Sequence, residues 1–454
     1  MGQSIEQLAE FVAATRCEDI PNAVRNHARL VLLDSFGVIL AGSERPEVAA
    51  LRRSWAAPTG AAATVYARGW PSQDARTAAL LNGIAGRAIE LCEGQRFYSG
   101  QAAIQVLPGV LALAQARRTT GRDLLTAFVL GYEAAARLCS VFTPRALAHQ
   151  NGQACMLGAA AAGARVSGFD AAATSLAMRV ATILLLTPSY TNAVAGATSL
   201  NVAGAMSSFV GVLAPDLVRC GFEAQPDAVE EALGQMVGAG FDAAHLVDEL
   251  GTRWDILRNY FRLYACCNPI HPALDALAAV LRALNGPSAE DIERIEVATY
   301  RFASVMRNPD PPSFFASKYS LPHAAAVMVV RGDLSHAALD DSALRDPRIA
   351  RLRSRVSVAE DPAMTAAAPR LRPARVTVTL KDGRQASHAC DSHRGDFMQP
   401  FERSELDAKF RDLAGCVLSA EGVERAAAMI ENLEAVADVH AALAALGAHA
   451  RPVT

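Results

Sequence analysis

The sequence predicts a mainly α-helical protein built from a large all-α domain and a smaller α+β unit. Three observations carry that expectation. Alanine is abundant throughout and aromatic residues make up only 6%, which favours close-packed helices over β architectures. Strand-type alternation of apolar and polar residues appears in IERIEVATYR (292–301) and ARVTVTLKDGRQASHACD (374–391), both within one span. Helical patterning then returns beyond residue 400. The expected division is 1–264 all-α, 265–400 α+β, and 401–454 packing back onto the helical part; a chain of 454 residues is too long for a single core.

Composition narrows the function classes. The residues are 51% hydrophobic and 20% charged, far from the signature of disorder. Net charge is −3 without a long basic run, so no nucleic acid and no membrane surface is expected as a partner. The nine cysteines are scattered without paired spacing and read as reduced thiols of a cytoplasmic protein. The N-terminus lacks a basic start and apolar run, and Glu6 stands where a myristoylation signal has Ser or Thr. Apolar windows such as 180–186 are too short to span a bilayer.

In chain order, residues 4–15 read as an amphipathic helix with Ser4 as its cap. Pro21 suits the first turn of a helix running to Gly42, apolar all round in its second half, with Asp34 as a paired core carboxylate or a contact to a neighbouring loop. TVYARG (64–69) is a short extended piece. The stretch from Ala79 to Leu113 sets two apolar segments around a polar centre of Glu90, Cys92, Glu93, Arg96, Tyr98 and Gln101. A helix ending at Gly94 would place Glu90 and Glu93 on one face. Residues 121–142 form a long apolar helix in which Glu133 precedes Arg137 at the spacing of an ion pair. His149 lies in a polar turn before a Gly/Ala-lined helix (148–170), where small side chains permit close approach. No strand series is expected before residue 263. Residues 271–284 and 317–332 read as helices, 374–391 as a hairpin, and 404–418 and 422–446 as helices with a cap at Ser404 and Glu405.

Several sites find no support. Cys266, Cys267 and His271 have metal-like spacing but no second cluster, so no metal is expected. There is no Walker A run and no GxGxxG after a strand. His271 is either a helix-start contact or a substrate-binding group.

The order of these segments resembles the MmgE/PrpD family. The resemblance rests on VLLDSFGVILAGS (31–43), LNGIAGRAIELCEG (81–94), PGVLALAQ (108–115) and GRDLLTAFVLGYEAAARL (121–138). It continues through 149–168, FRLYACCNPIHPALDAL (261–277), SKYSLPHAAA (317–326) and RGDFMQPFERSELDAKF (394–410). It implies a large all-α domain, a smaller α+β lid domain, a homodimer, and cofactor-free chemistry on a small di- or tricarboxylic acid. The family's acidic run falls on Glu90 and Glu93, its next histidine on Gln101, and its later histidine on His149. One family lysine falls near Leu200 and is missing; another becomes Arg262, with His271 following.

Family reactions move a proton at a carbon beside a carboxylate. Carried onto this chain, the catalytic residues are His149, Glu90 and Glu93, with Gln101, Arg262 and His271 binding substrate. Arginine clamps a carboxylate well but donates protons poorly. Loss of the family lysine and histidine argues against plain 2-methylcitrate dehydration or cis-aconitate decarboxylation. A hydro-lyase-like activity is expected first, then an epimerase or isomerase; a catalytically silent homologue binding a ligand or partner is the contrasting possibility.

Overall fold

The computed structural model describes residues 3–55, 61–98 and 100–453; Met1 and Gly2, where the acylation signal was sought, lie outside them. Helix dominates. At the centre lies Ala102–Arg117, whose residues 102–115 are all buried. Around it pack Ala75–Arg87, Gly121–Val141, Ala154–Val166 and Leu200–Arg219. Two of these, Gly121–Val141 and Leu200–Arg219, are long and apolar enough to cross a bilayer, which corrects the expectation that no window is; here both are core helices.

Small side chains set how closely these helices approach. A Cβ on Gly158 would lie 2.6 Å from the backbone nitrogen of Ala135, so helix 154–166 touches helix 121–141 backbone to backbone. The Glu133–Arg137 pair forms at 2.7 Å and is fully buried. Arg137 also donates to the carbonyls of Asp248 (2.7 Å) and Arg253 (3.0 Å), and Glu133 accepts from the Asp255 N–H (2.8 Å). This one ion pair therefore fastens the loop at 246–255 to the helical body.

Two main hydrophobic cores result. One gathers residues between Ile5 and Ala265 and resumes from Leu406 to Leu446. The other runs from Cys266 to Leu380 and recruits Ala193, Leu200 and Ala203 from the helical part. The second core is closed by a four-stranded sheet in the order Gln385–Cys390, Ala374–Leu380, Ile292–Thr299, Val356–Glu360. The helix His271–Ala283 packs on the two strands of the hairpin.

Several expectations are corrected. Val356–Glu360 was not anticipated and runs parallel to Ile292–Thr299, so the sheet is mixed. Only Val356 is buried in this strand, which leaves no amphipathic alternation to read, and helices Leu321–Arg331 and Pro347–Arg353 supply the crossover that parallel pairing needs. The extended piece expected near Thr64 is the short strand Ala63–Thr64, paired with Ser72–Gln73, and two further short antiparallel pairs that were not expected before residue 263 join Gly94–Gln95 to Asn259–Tyr260 and Phe142–Pro144 to Gly238–Phe241. The first helix starts at Gln3, so Ser4 is not its cap. Pro21 precedes the helix Asn22–Gly42 instead of opening it. The helix after His149 begins only at Ala154. Glu402 and Glu405, not Ser404, make the reciprocal cap of Arg403–Ala414, and the last long helix is broken at Asn432 into Ala420–Glu431 and Val439–Gly447.

Asp34 is a paired core carboxylate that also helps hold a loop. Lys409 Nζ reaches its Oδ1 and donates to the Leu91 carbonyl at 2.9 Å, so the returning C-terminal helix pins the loop that follows Arg87.

Gly158→Val forces a branched side chain into the Ala135 backbone. Urea unfolding followed by circular dichroism should show a loss of about 1–3 kcal/mol, the usual cost of overpacking; an unchanged midpoint would contradict the contact.

Candidate active site

The helix Ala75–Arg87 begins at Asp74, whose carboxylate accepts from the Arg76 and Thr77 N–H groups, and stops at Arg87. It does not continue to Gly94. Glu90 takes a left-handed conformation at φ +51°, which turns its carboxylate back onto Arg87 at 3.1 Å. From the far side Arg262 Nη1 donates to Glu90 Oε1 at 2.8 Å and to the Glu90 carbonyl at 3.0 Å. All three side chains are buried. Burial alone would raise the Glu90 carboxyl, but the two guanidiniums outweigh it and hold the group down at about 2.

Because the helix ends early, Glu90 and Glu93 do not share a face. Glu93 points into the helical core, where it accepts from Ala103 N–H (3.0 Å), Tyr132 OH (3.1 Å) and Asn259 Nδ2 (3.2 Å). Burial pushes its carboxyl up to about 7 despite those donors. Gly94 pairs with Tyr260 across the short strands, and a Cβ at 94 would sit 2.3 Å from the Tyr260 hydroxyl. The phenol thus occupies the space a side chain at 94 would need.

Glu90, Arg262, His149 and Gln101 all line one cavity of about 580 Å³. Glu93 and His271 do not. His271 is buried beside Tyr264 and His393, with Nε2 at 3.1 Å from the Cys266 carbonyl; it holds the start of its helix. Burial keeps this imidazole well below its ordinary pKa.

His149 is oriented by its own turn. Its N–H donates to the Pro188 carbonyl at 2.8 Å, its ring stacks on Tyr190 at 5.6 Å and 14°, and Nδ1 lies 3.2 Å from the Asn151 N–H. A backbone N–H can only donate, so Nδ1 is the acceptor and the neutral ring carries its hydrogen on Nε2. Burial, with Arg87 adding to it and Glu90 opposing, depresses the imidazole to about 4. At neutral pH His149 is therefore an uncharged ring that donates through Nε2. Gln101 stands at the start of Ala102–Arg117, and its Oε1 has no partner among the described residues.

The cavity also contains residues that sequence reasoning missed, among them Arg87, Tyr190, Tyr260, Cys267, Tyr300 and Arg372. Arg87 had a signal: it is the lone cation in the apolar run LNGIAGRAI, three residues before Glu90. The others come from separate segments with no shared pattern. Cys267 is an inert thiol, raised by burial. Among the described residues no three His, Cys, Asp or Glu side chains converge as a metal site.

The fold and site define a member of the MmgE/PrpD family. The MmgE/PrpD N-terminal domain matches residues 6–243 and the MmgE/PrpD C-terminal domain residues 264–435, so the chain belongs to that family. Among curated relatives, cis-aconitate decarboxylase from Mus musculus is 24% identical, covering 95% of this chain and 91% of its own. The Homo sapiens enzyme of that name is 26% identical over 73% of this chain and 71% of its own, and the Aspergillus terreus one 22% identical over 95% and 94%. The family supports a lyase-like enzyme of carboxylates.

Glu93 gives the site region a measurable pH dependence. Its carboxyl binds a proton more tightly folded (about 7) than at its ordinary value of 4.5, so its stabilising effect is complete below pH 4.5 and lost as pH rises through 7. Relative to Glu93→Gln, the wild type should lose about 3 kcal/mol of unfolding free energy across that window. Parallel denaturation profiles for the two proteins would refute a buried, proton-binding Glu93.

Proposed function

We propose that this protein is a cofactor-free, hydro-lyase-like enzyme that removes a proton beside a carboxylate of a di- or tricarboxylic acid. The observation that carries the reading is Glu90, a buried carboxylate between two guanidiniums in a cavity shared with His149. An arriving substrate carboxylate competes with Glu90 for Arg262. That weakens the hold on Glu90 and lets its carboxyl rise into the range of a working base. Proton removal moves charge onto the substrate carboxylate, where Arg262 and the Nε2–H of His149 stabilise it. Gln101 accepts from a substrate hydroxyl and orients it, and the proton that Glu90 takes from carbon passes to that hydroxyl as its C–O bond breaks, so that water leaves and an alkene remains. Epimerisation uses the same proton removal with return to the opposite face.

The silent-homologue reading draws its support from the resting site, where Glu90 near 2 and His149 near 4 leave no base poised at neutral pH. Incubation with di- and tricarboxylates in heavy water separates the readings. Deuterium should enter the carbon beside a carboxylate, with product if the enzyme is a lyase and without net conversion if it is an isomerase. A panel that shows no exchange favours the silent homologue. We further propose a cytoplasmic homodimer, and activity that survives exhaustive chelation.

His149→Ala should lower kcat about 10²–10³-fold, the range for a lost oxyanion donor. Because Arg262 also stabilises the charge formed on proton removal, Arg262→Ala should both raise KM and lower kcat. Steady-state kinetics on the substrate found by exchange checks both variants, and equal kcat in His149→Ala would remove that residue from the chemistry.

For assembly, light scattering at micromolar concentration should return twice the 47.9 kDa chain mass, and a value at the chain mass would contradict the dimer.

A further inference from the structure

The cavity is larger and more aromatic than a compact polycarboxylate needs. A di- or tricarboxylate of about a dozen heavy atoms, at interior packing density, occupies well under half of the roughly 580 Å³ available. Spaces of this size ordinarily hold ligands with a substantial apolar body.

Its polarity is divided between two ends. The inner end holds Arg87, Glu90, Arg262 and His149. The outer end, where the lining is more exposed, holds Phe97, Tyr98, Phe302, Val305 and Pro369, with Arg301 and Thr365 beside them. A line of rings joins them: His149 stacks on Tyr190 at 5.6 Å, and Tyr190 meets Phe302 at 5.4 Å. Phe302 and Val305 are left 42% and 49% exposed at the outer end, where a bound apolar group would cover them. Across the cavity Phe97 is held by Phe397 at 5.6 Å and by the Arg258 guanidinium at 4.2 Å, a firm aromatic wall.

Charge agrees with size. Glu90 neutralises one of the two inner guanidiniums, leaving one net positive charge there. Arg372 keeps its positive charge, because the Asn268 oxygen and the Arg96 carbonyl that hold it are neutral, and Arg301 pairs with Glu360. Two uncompensated guanidinium charges therefore line the cavity, enough for a dianionic head and short of a compact trianion. A carboxylate head with an apolar tail meets what each end offers.

Resting on the reading that Arg262 takes a substrate carboxylate, we infer that the substrate is an organic acid whose carboxylate-bearing head lies at Arg87, Arg262 and His149 and whose aromatic or alkyl body lies along Tyr190, Phe302 and Phe97. Titration calorimetry with succinate and benzylsuccinate tests it, the two sharing a head and differing in the ring. Benzylsuccinate should bind wild-type protein at least tenfold more tightly than succinate. Phe302→Ala, at a half-exposed position that does not threaten folding, should reduce that ratio several-fold while leaving succinate affinity unchanged, and Val305→Asp should do the same. Arg262→Ala should weaken both acids. Equal binding of the two acids to wild type, or a ratio unchanged in both outer-end variants, overturns the apolar body while the carboxylate reading stands. Failure of both acids to bind overturns the carboxylate reading and the inference with it.

Discussion

The structure around the cavity depends on one constraint: the carboxylate of Glu90 is buried and must be neutralised there. Taking a single carboxylate out of water costs several kcal/mol, and removing one member of a buried pair typically destabilises by about 3–5 kcal/mol. Arg87 and Arg262 meet that demand from two directions, one from the end of the preceding helix and one from a segment 172 residues further on. Satisfying the charge therefore fixes where helix 75–87 stops, forces Glu90 into a left-handed conformation, and brings the 260–266 segment against the loop. Lys409 completes the arrangement by binding Asp34 and the Leu91 carbonyl together, so the loop is held from the C-terminal return as well.

That same constraint shapes the chemistry. A carboxylate stabilised by two cations is a poor base, and an imidazole kept neutral by burial and by a neighbouring guanidinium is a poor acid. The site at rest is thus protected from idle proton transfer. Charge complementarity with an incoming carboxylate is what would change it, because the substrate and Glu90 compete for the same donor. His149, neutral at rest, is suited to positioning and charge stabilisation, which need no titration, while Glu90 becomes a base only when its cations are shared with substrate. Arginine at 262 fits this logic: it offers a fixed cation where a lysine would offer a transferable proton.

Glu93 shows how little separates a site residue from a core residue. It lies three positions from Glu90 and has the same side chain, yet it points to the opposite side and is held by Tyr132, Asn259 and the Ala103 N–H. Its role is to tie the start of the central helix to the loop before it. His271 is a similar case, taken up by the Cys266 carbonyl and by neighbouring rings instead of by the cavity.

The sequence by itself determined the fold class, because helical periodicity, strand alternation and the Glu133–Arg137 spacing are local properties that survive without tertiary context. It also picked out Glu90, Gln101, His149 and Arg262, which line one cavity although they are distant in the chain. It did not predict the parallel strand 356–360, whose partner is set by a crossover and which buries only Val356. Nor did it reveal the end of the helix at Arg87, since AGRAIELCEG carries no residue that forbids helix; the break comes from a buried charge that needs Arg262. Tyr190, Tyr260, Tyr300 and Arg372 were invisible for the same reason. Their shared location is decided by how separate segments pack around one cavity, and no sequence spacing encodes it.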